Sequence, residues 1–145
     1  MKPRTFALLA VVAALACHNE PFASSSADGL TLTLVLTRTE LQRGEPDTIT
    51  MTLTNTNRHS VSLSGGVCEP RPYISDARGV TVVPPGGDWV CIALLRRLDL
   101  AAGEQHIRTF VWLTSSFPPG VYSVQAAFSA QDVSLATRPA SVRLN

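Results

Sequence analysis

Three cysteines and three histidines carry most of the reactive chemistry open to this chain, and their spacing limits it. Cys17 and His18 are neighbours, whereas His59, Cys68, Cys91 and His106 stand apart. Zinc sites gather thiolates and imidazoles at short intervals such as C-x-x-C, so no metal is expected. No serine sits in a G-x-S-x-G elbow, no carboxylate pair forms a motif that would split two pKa values, and no phosphate or dinucleotide fingerprint occurs. The residues therefore point away from an enzyme, a cofactor and a small-molecule substrate. Arginine supplies what recognition chemistry remains: Arg71 in "CEPRP" and Arg96 and Arg97 in "LLRRL". A planar guanidinium suits paired contacts with carboxylates.

Cys17 ends an unbroken apolar run, residues 6–16. As a helix that run is about 16 Å long, half of the roughly 30 Å hydrocarbon core of a bilayer, so it does not span. Lys2 and Arg4 precede it and small residues close it, the pattern of an export signal. Ala14, Leu15, Ala16 and Cys17 resemble the lipobox of bacterial lipoproteins. That resemblance implies removal of residues 1–16 and acylation of Cys17; a plain secretory signal cut elsewhere, or a core helix, is the alternative. With Cys17 acylated, Cys68 and Cys91 are left as a pair in a compartment where disulfides persist. Such a bridge is worth roughly 3–4 kcal/mol in the chain-entropy picture. The protein is thus expected outside the cytoplasm, held to a bacterial membrane through lipid alone, at a periplasmic face or the cell surface.

Charge narrows the partners further. Loss of Lys2 and Arg4 with the signal leaves ten arginines against eleven acids, interspersed along the chain. No basic stripe exists to collect phosphates, so nucleic acid is not expected.

The elements that must position these residues follow from periodicity. Residues 17–29 include "NEPFASSSADG", which has no periodicity and reads as a flexible tether. From Leu30 the sequence alternates: Leu30, Leu32, Leu34 and Leu36 on one face, Thr31, Thr33, Val35 and Thr37 on the other, the period of a half-buried strand. "TITMTLTN" repeats the pattern, with Ile49, Met51 and Leu53 inward. Val61 and Leu63 mark a short strand. Tyr73 to Ser75 and Val80 to Val83 flank "DARG" as a hairpin. "WVCIALLRRLDL" fits a buried strand or a few helical turns equally. "HIRTFVWL" reads as a strand in which Trp112 is core, "VYSVQAAF" places Tyr122, Val124, Ala126 and Phe128 on one face, and "PASVRL" ends the chain as a strand whose leading Pro139 suggests an edge. Many short strands with frequent turn signals predict one all-β domain over residues 30–145, an Ig-like antiparallel β-sandwich.

Across residues 44–128 the order of motifs resembles the BsuPI-type proteinase-inhibitor domain. The resemblance rests on Asn55, Thr56 and Asn57, on Asp76 and Gly79 of "DARG", on Leu100, Gly103 and Glu104 of "LAAGE", on Trp112, and on Pro118, Pro119, Gly120 and Tyr122 of "PPGVY". It implies an Ig-like sandwich and opens restraint of a protease as a function. The motif residues are turn and corner formers rather than chemical groups. Tyr122 is placed to hydrogen-bond across a sheet corner. The export signal and the Cys68 and Cys91 pair depart from the family pattern.

A binding module therefore fits the sequence better than a catalyst. Two loops are candidates for presentation to a protein partner: "CEPRP", with Arg71 and Pro72 beside the expected disulfide, and "PPGGD", with Pro84 and Pro85. Arg71, or Arg96 and Arg97, would suit the specificity pocket of a trypsin-like protease, and Trp89 would serve as an exposed anchor. Two functions follow: a lipid-anchored module that restrains a protease or binds another protein, or a non-inhibitory scaffold of the cell envelope.

Overall fold

The computed structural model describes residues 22–64, 68–90, 97–130 and 132–145. The signal, Cys17, Cys91 and Arg96 lie outside the described residues, and the Cys68 side chain is likewise not described. Among the described residues there are twelve strands and no α-helix, and ten of the strands build two sheets that pack face to face as a sandwich.

The first sheet is antiparallel, in the order β1 (Phe22–Ala27), β2 (Leu30–Leu36), β4 (Pro46–Asn55) and β9 (Gln105–Leu113). The second runs β3 (Glu40–Leu41), β12 (Ala140–Leu144), β10 (Gly120–Ala130), β6 (Cys68–Ser75) and β7 (Thr81–Val83), with β11 (Val133–Ala136) also paired to β10. Among the described strands only the two-residue contact of β3 with β12 is parallel. A small ladder of β5 (Val61–Leu63) and β8 (Leu98–Leu100) closes one end.

The alternation in sequence becomes the core directly. Leu30, Leu32, Leu34, Leu36, Ile49, Met51, Leu53 and Trp112 point inward from the first sheet; Ile74, Tyr122, Val124, Ala126, Phe128, Val142 and Leu144 meet them from the second. The threonines between them line the outer face, where a β-branched, hydrogen-bonding side chain suits a pleated, wetted surface. "LDL" of the ambiguous segment is β8; the residues before Arg97 lie outside the described set.

Three expectations are corrected. Residues 22–27 are not tether but β1, paired along its whole length with β2. The cause is the Asp28-Gly29 turn: both residues have positive φ, 52° and 71°, as a two-residue hairpin matched to strand twist requires. Asn57 then lies so close over Gly29 that a Cβ there would come within 2.3 Å of its side chain. Arg71 and Pro72 are not in a loop; "CEPRP" is the start of β6, paired with β10 through Arg71 opposite Ala127 and Pro72 opposite Ala126. Finally, β12 is not a bare edge, because β3 covers its far end.

One local device occurs twice. "LQRGE" (residues 41–45) and "LAAGE" (residues 100–104) each bury the leucine, set the glycine at positive φ, and let the glutamate Oε2 accept the backbone N–H three residues back, at 2.7 Å from Gln42 and 2.6 Å from Ala101. The turns lead into β4 and β9, which run antiparallel, so one stands at each end of the first sheet. Each is locked by a buried polar residue. Thr114 accepts from the Gly44 N–H and donates to the Glu45 carbonyl. Asn55, fully buried, donates to the carbonyls of His59, Leu100 and Ala101 and accepts from the Asn57 N–H.

Candidate functional site

The site forms where, among the described residues, no strand covers the neighbouring edges of β6 and β9. β7 covers β6 only at Ile74 and Ser75, so the stretch of β6 from Cys68 to Pro72 has no described strand on that side. β9, the last strand of its own sheet, faces it. Trp89 stands at this open side. Its indole N–H donates to the Pro72 carbonyl at 2.8 Å, and its ring meets Phe110 edge-on at 6.0 Å between centroids.

That contact explains how a strand tolerates Pro72. Within a strand the N and the C=O of one residue point to the same side. The Pro72 carbonyl points away from β10, toward Trp89, so its nitrogen does too, where no ladder asks for a donor. The indole takes the place of a neighbouring strand.

Trp89 divides two hollows. One, of about 410 Å³, is the cleft between β6 and β9, with Glu69, Pro72, Trp89, Arg108 and Phe110 among its walls. The other, of about 330 Å³, lies on the outer face of the second sheet, with Arg71, Tyr73, Trp89, Ser129 and Ser134. Glu69 and Arg71 border both. Both volumes are of the size that holds a small ligand or a few residues of a peptide. Glu69 bridges the cleft: it pairs with Arg108 of β9 and lies 4.0 Å from His106 Nε2, a buried nitrogen with no hydrogen-bond partner among the described residues. Arg71 makes no ion pair among the described residues. The cleft thus offers aromatic edges, unpaired strand backbone and an excess of cationic groups.

The other expected residues scatter. Pro84 is buried and Pro85 exposed at a closed turn, in which the Gly87 N–H donates to the Pro84 carbonyl at 3.1 Å and Gly86 and Gly87 hold positive φ. Trp89 is half-buried rather than an exposed anchor. Arg97 is exposed and paired with Asp99 at 2.7 Å. His59 is exposed in its turn. Trp112 is core, 1% exposed. The structure brings Arg71, Pro72 and Trp89 together and leaves Pro84, Pro85 and Arg97 out. Glu69, Tyr73, Arg108 and Phe110 were not anticipated. Glu69 sits inside "CEPRP" itself, whereas nothing in the alternation of β9 says which strand its edge would face.

Among the described residues no group of three His, Cys, Asp or Glu side chains gathers as a metal site, and no helix is long and apolar enough to cross a membrane.

No protein-family model matches the chain, and no curated protein matches it. Solved structures resemble it in fold. The CARDB domain of a Pyrococcus furiosus protein, described in complex with di-metal ions, aligns at a TM-score of 0.50 and 12% identity, over 83% of this chain and 93% of that one. The C-terminal domain of wzt gives a TM-score of 0.49 at 14% identity, over 86% and 70%. A β-glucosidase from Listeria innocua gives 0.48 at 18% identity; this chain covers 16% of that enzyme's length. At such identities the likeness is one of β-sandwich architecture alone.

Proposed function

We propose that the protein is an exported, lipid-anchored binding module that holds a protein partner in the cleft between β6 and β9. In this reading residues 1–16 are removed, Cys17 carries the lipid, and Cys68 is joined to Cys91. One observation carries the binding role: Arg71, Arg108 and Trp89 flank the outer edge of β9, which no described strand pairs. An extended segment of a partner would satisfy that backbone by adding a strand, and carboxylates on it would meet the guanidiniums. The resemblance to BsuPI-type domains supports a protein partner in general. A protease as that partner is the narrower form. The turn at residues 84–88 argues against insertion of that loop into an active site, since proteases bind extended backbone and this one is closed on itself.

The test uses full-length tagged protein extracted in detergent. Wild type is expected to retain an envelope protein that an Arg71→Ala, Arg108→Ala variant of unchanged melting temperature loses. A partner retained equally by both would reject the cleft. Intact mass of the same sample checks the anchor, and a protease panel separates restraint of a protease from a non-inhibitory scaffold.

A further inference from the structure

The corrected start of the fold changes where the body sits, provided that Cys17 is acylated as proposed above. Only residues 18–21 separate Cys17 from Phe22, the first residue of β1. From Cys17 to Phe22 the chain reaches at most about 18 Å. A tether extending to residue 29 would instead allow roughly 45 Å.

The outer face of the first sheet is not uniform along its strands. Rows across it follow from the register. At the end where β1 begins, Phe22 lies beside Val35, and β9 contributes Val111 and Leu113, opposite Thr48 and Pro46 of β4. These four apolar side chains are 50%, 43%, 54% and 65% exposed. At the other end the last row is Ser26, Thr31, Thr54 and Gln105, and Ile107, opposite Thr52 and 55% exposed, is the single large apolar side chain in the row before it. The apolar part covers an area roughly 14 Å on each side, from strand spacing and rise. Threonines of β4 stand between the two pairs, so the four do not form one continuous patch, but with the exposed Pro46 they make this end the more apolar part of the face.

We infer that this end of the face rests on the surface of the same bilayer that holds the Cys17 lipid. The short connection decides the occupant: it keeps this end within reach of the membrane at all times, at an effective concentration no soluble partner matches. Arg38 and Arg43 are exposed in the connections at this end, Arg38 in a pair with Glu45 at 3.4 Å and Arg43 donating to the Ser115 carbonyl at 3.1 Å. The opposite, hydroxyl-lined end then points away from the membrane, and the cleft beside Trp89 opens to the side.

The experiment reconstitutes the native lipidated protein in vesicles of phosphatidylethanolamine and phosphatidylglycerol. A nitroxide is placed by Leu113→Cys or by Gln105→Cys, with unsubstituted protein as the labelling blank. Both positions are exposed, so folding is not at risk, and Leu113 is three strands from the chain's entry, so its shielding reports the face rather than the tether. Accessibility to a water-soluble nickel relaxant is expected to be at least threefold lower at 113 than at 105. Equal accessibility in protein that floats with the vesicles overturns the docked face and leaves the anchor standing. Protein that neither floats nor carries acyl mass overturns the anchor and the docked face together. Shielding at 113 that disappears when the protein is diluted in lipid assigns the face to a second copy instead, and also overturns the inference.

Discussion

At the scale of single residues, the side chains that matter most to the fold are polar and buried. Asn55 satisfies three carbonyls and one N–H from two separate loops while itself 0% exposed. Removing it leaves those groups without partners and away from water, at about 1–3 kcal/mol for each one that finds no substitute. Asn55→Ala is therefore expected to lose at least about 2–3 kcal/mol by denaturant unfolding, far more than a surface change. Tyr122 is a milder case. Its hydroxyl donates to the Pro118 carbonyl at 2.7 Å, and Tyr122→Phe should lose about 0.5–1.5 kcal/mol with the ring packing kept. Asp47 works in the opposite sense. It stands opposite Trp112 in the ladder, 1% exposed, and among the described residues neither its carboxylate oxygens nor the indole N–H has a hydrogen-bond partner. Burial raises its pKa, partly countered by the nearby Thr48 and Arg38 amides, which stand short of hydrogen-bond geometry, and by the Arg38 charge. A folded-state pKa above the unfolded one means that the acid form suits the fold. Its stabilising contribution is complete below the unfolded pKa near 3.9 and is lost as pH rises through the folded value. Asp47→Asn, which stays neutral, should thus melt higher than wild type near neutral pH, with the difference closing toward about pH 3. A difference independent of pH would reject the assignment.

At the scale of elements, β1 is the test of what a sequence reveals. Its residues, "FASSSA", offer one large apolar side chain at the outer face and only small ones inward, so alternation gives no signal. The legible signal was Asp28-Gly29, a strong two-residue hairpin mark, directly before the clearest strand of the chain. Gly29→Ala should be costly for two reasons: a positive φ that L residues avoid, and a Cβ driven into Asn57. Loss of a few kcal/mol, with β1 amides exchanging faster than those of β4, is the expected result in hydrogen exchange; uniform protection would mean that β1 holds without its turn. The strands β2, β4 and β10 were readable because each has one buried face, and period two then maps residue number onto side; β9, with Trp112 as its one buried residue, was readable from its β-branched and aromatic content. β6 was not, since Pro70 and Pro72 are the residues that ordinarily exclude a strand interior, and Trp89, seventeen positions on, supplies what makes Pro72 acceptable. The cleft was legible only in part for the same reason. Its charged and aromatic residues stand out in sequence, but the pairing of edges that brings β9 to β6 is a property of sheet order, which alternation does not encode.

At the scale of the whole molecule, the fold and the proposed site draw on different parts of the sandwich. Cohesion between the sheets is centred on Trp112, which meets Phe117 and Tyr122 edge-on at 5.5 and 5.3 Å between centroids at the end where the chain enters. Trp112→Ala removes about 3–5 kcal/mol, a large share of the 5–15 kcal/mol typical of a domain, and should lower Tm by roughly 10–20 °C. Arg71 and Arg108 lie on the open side, half-buried and exposed, and an exposed pair such as Arg108 with Glu69 is worth at most about 1 kcal/mol. Substituting both with alanine should leave Tm within a few degrees while abolishing capture of a partner at the cleft. The two variants together decide whether recognition is grafted on the sandwich or built into it. If the arginine variant melts as early as Trp112→Ala, the cleft is part of the core's support, and the loss of a partner would no longer speak for a binding site.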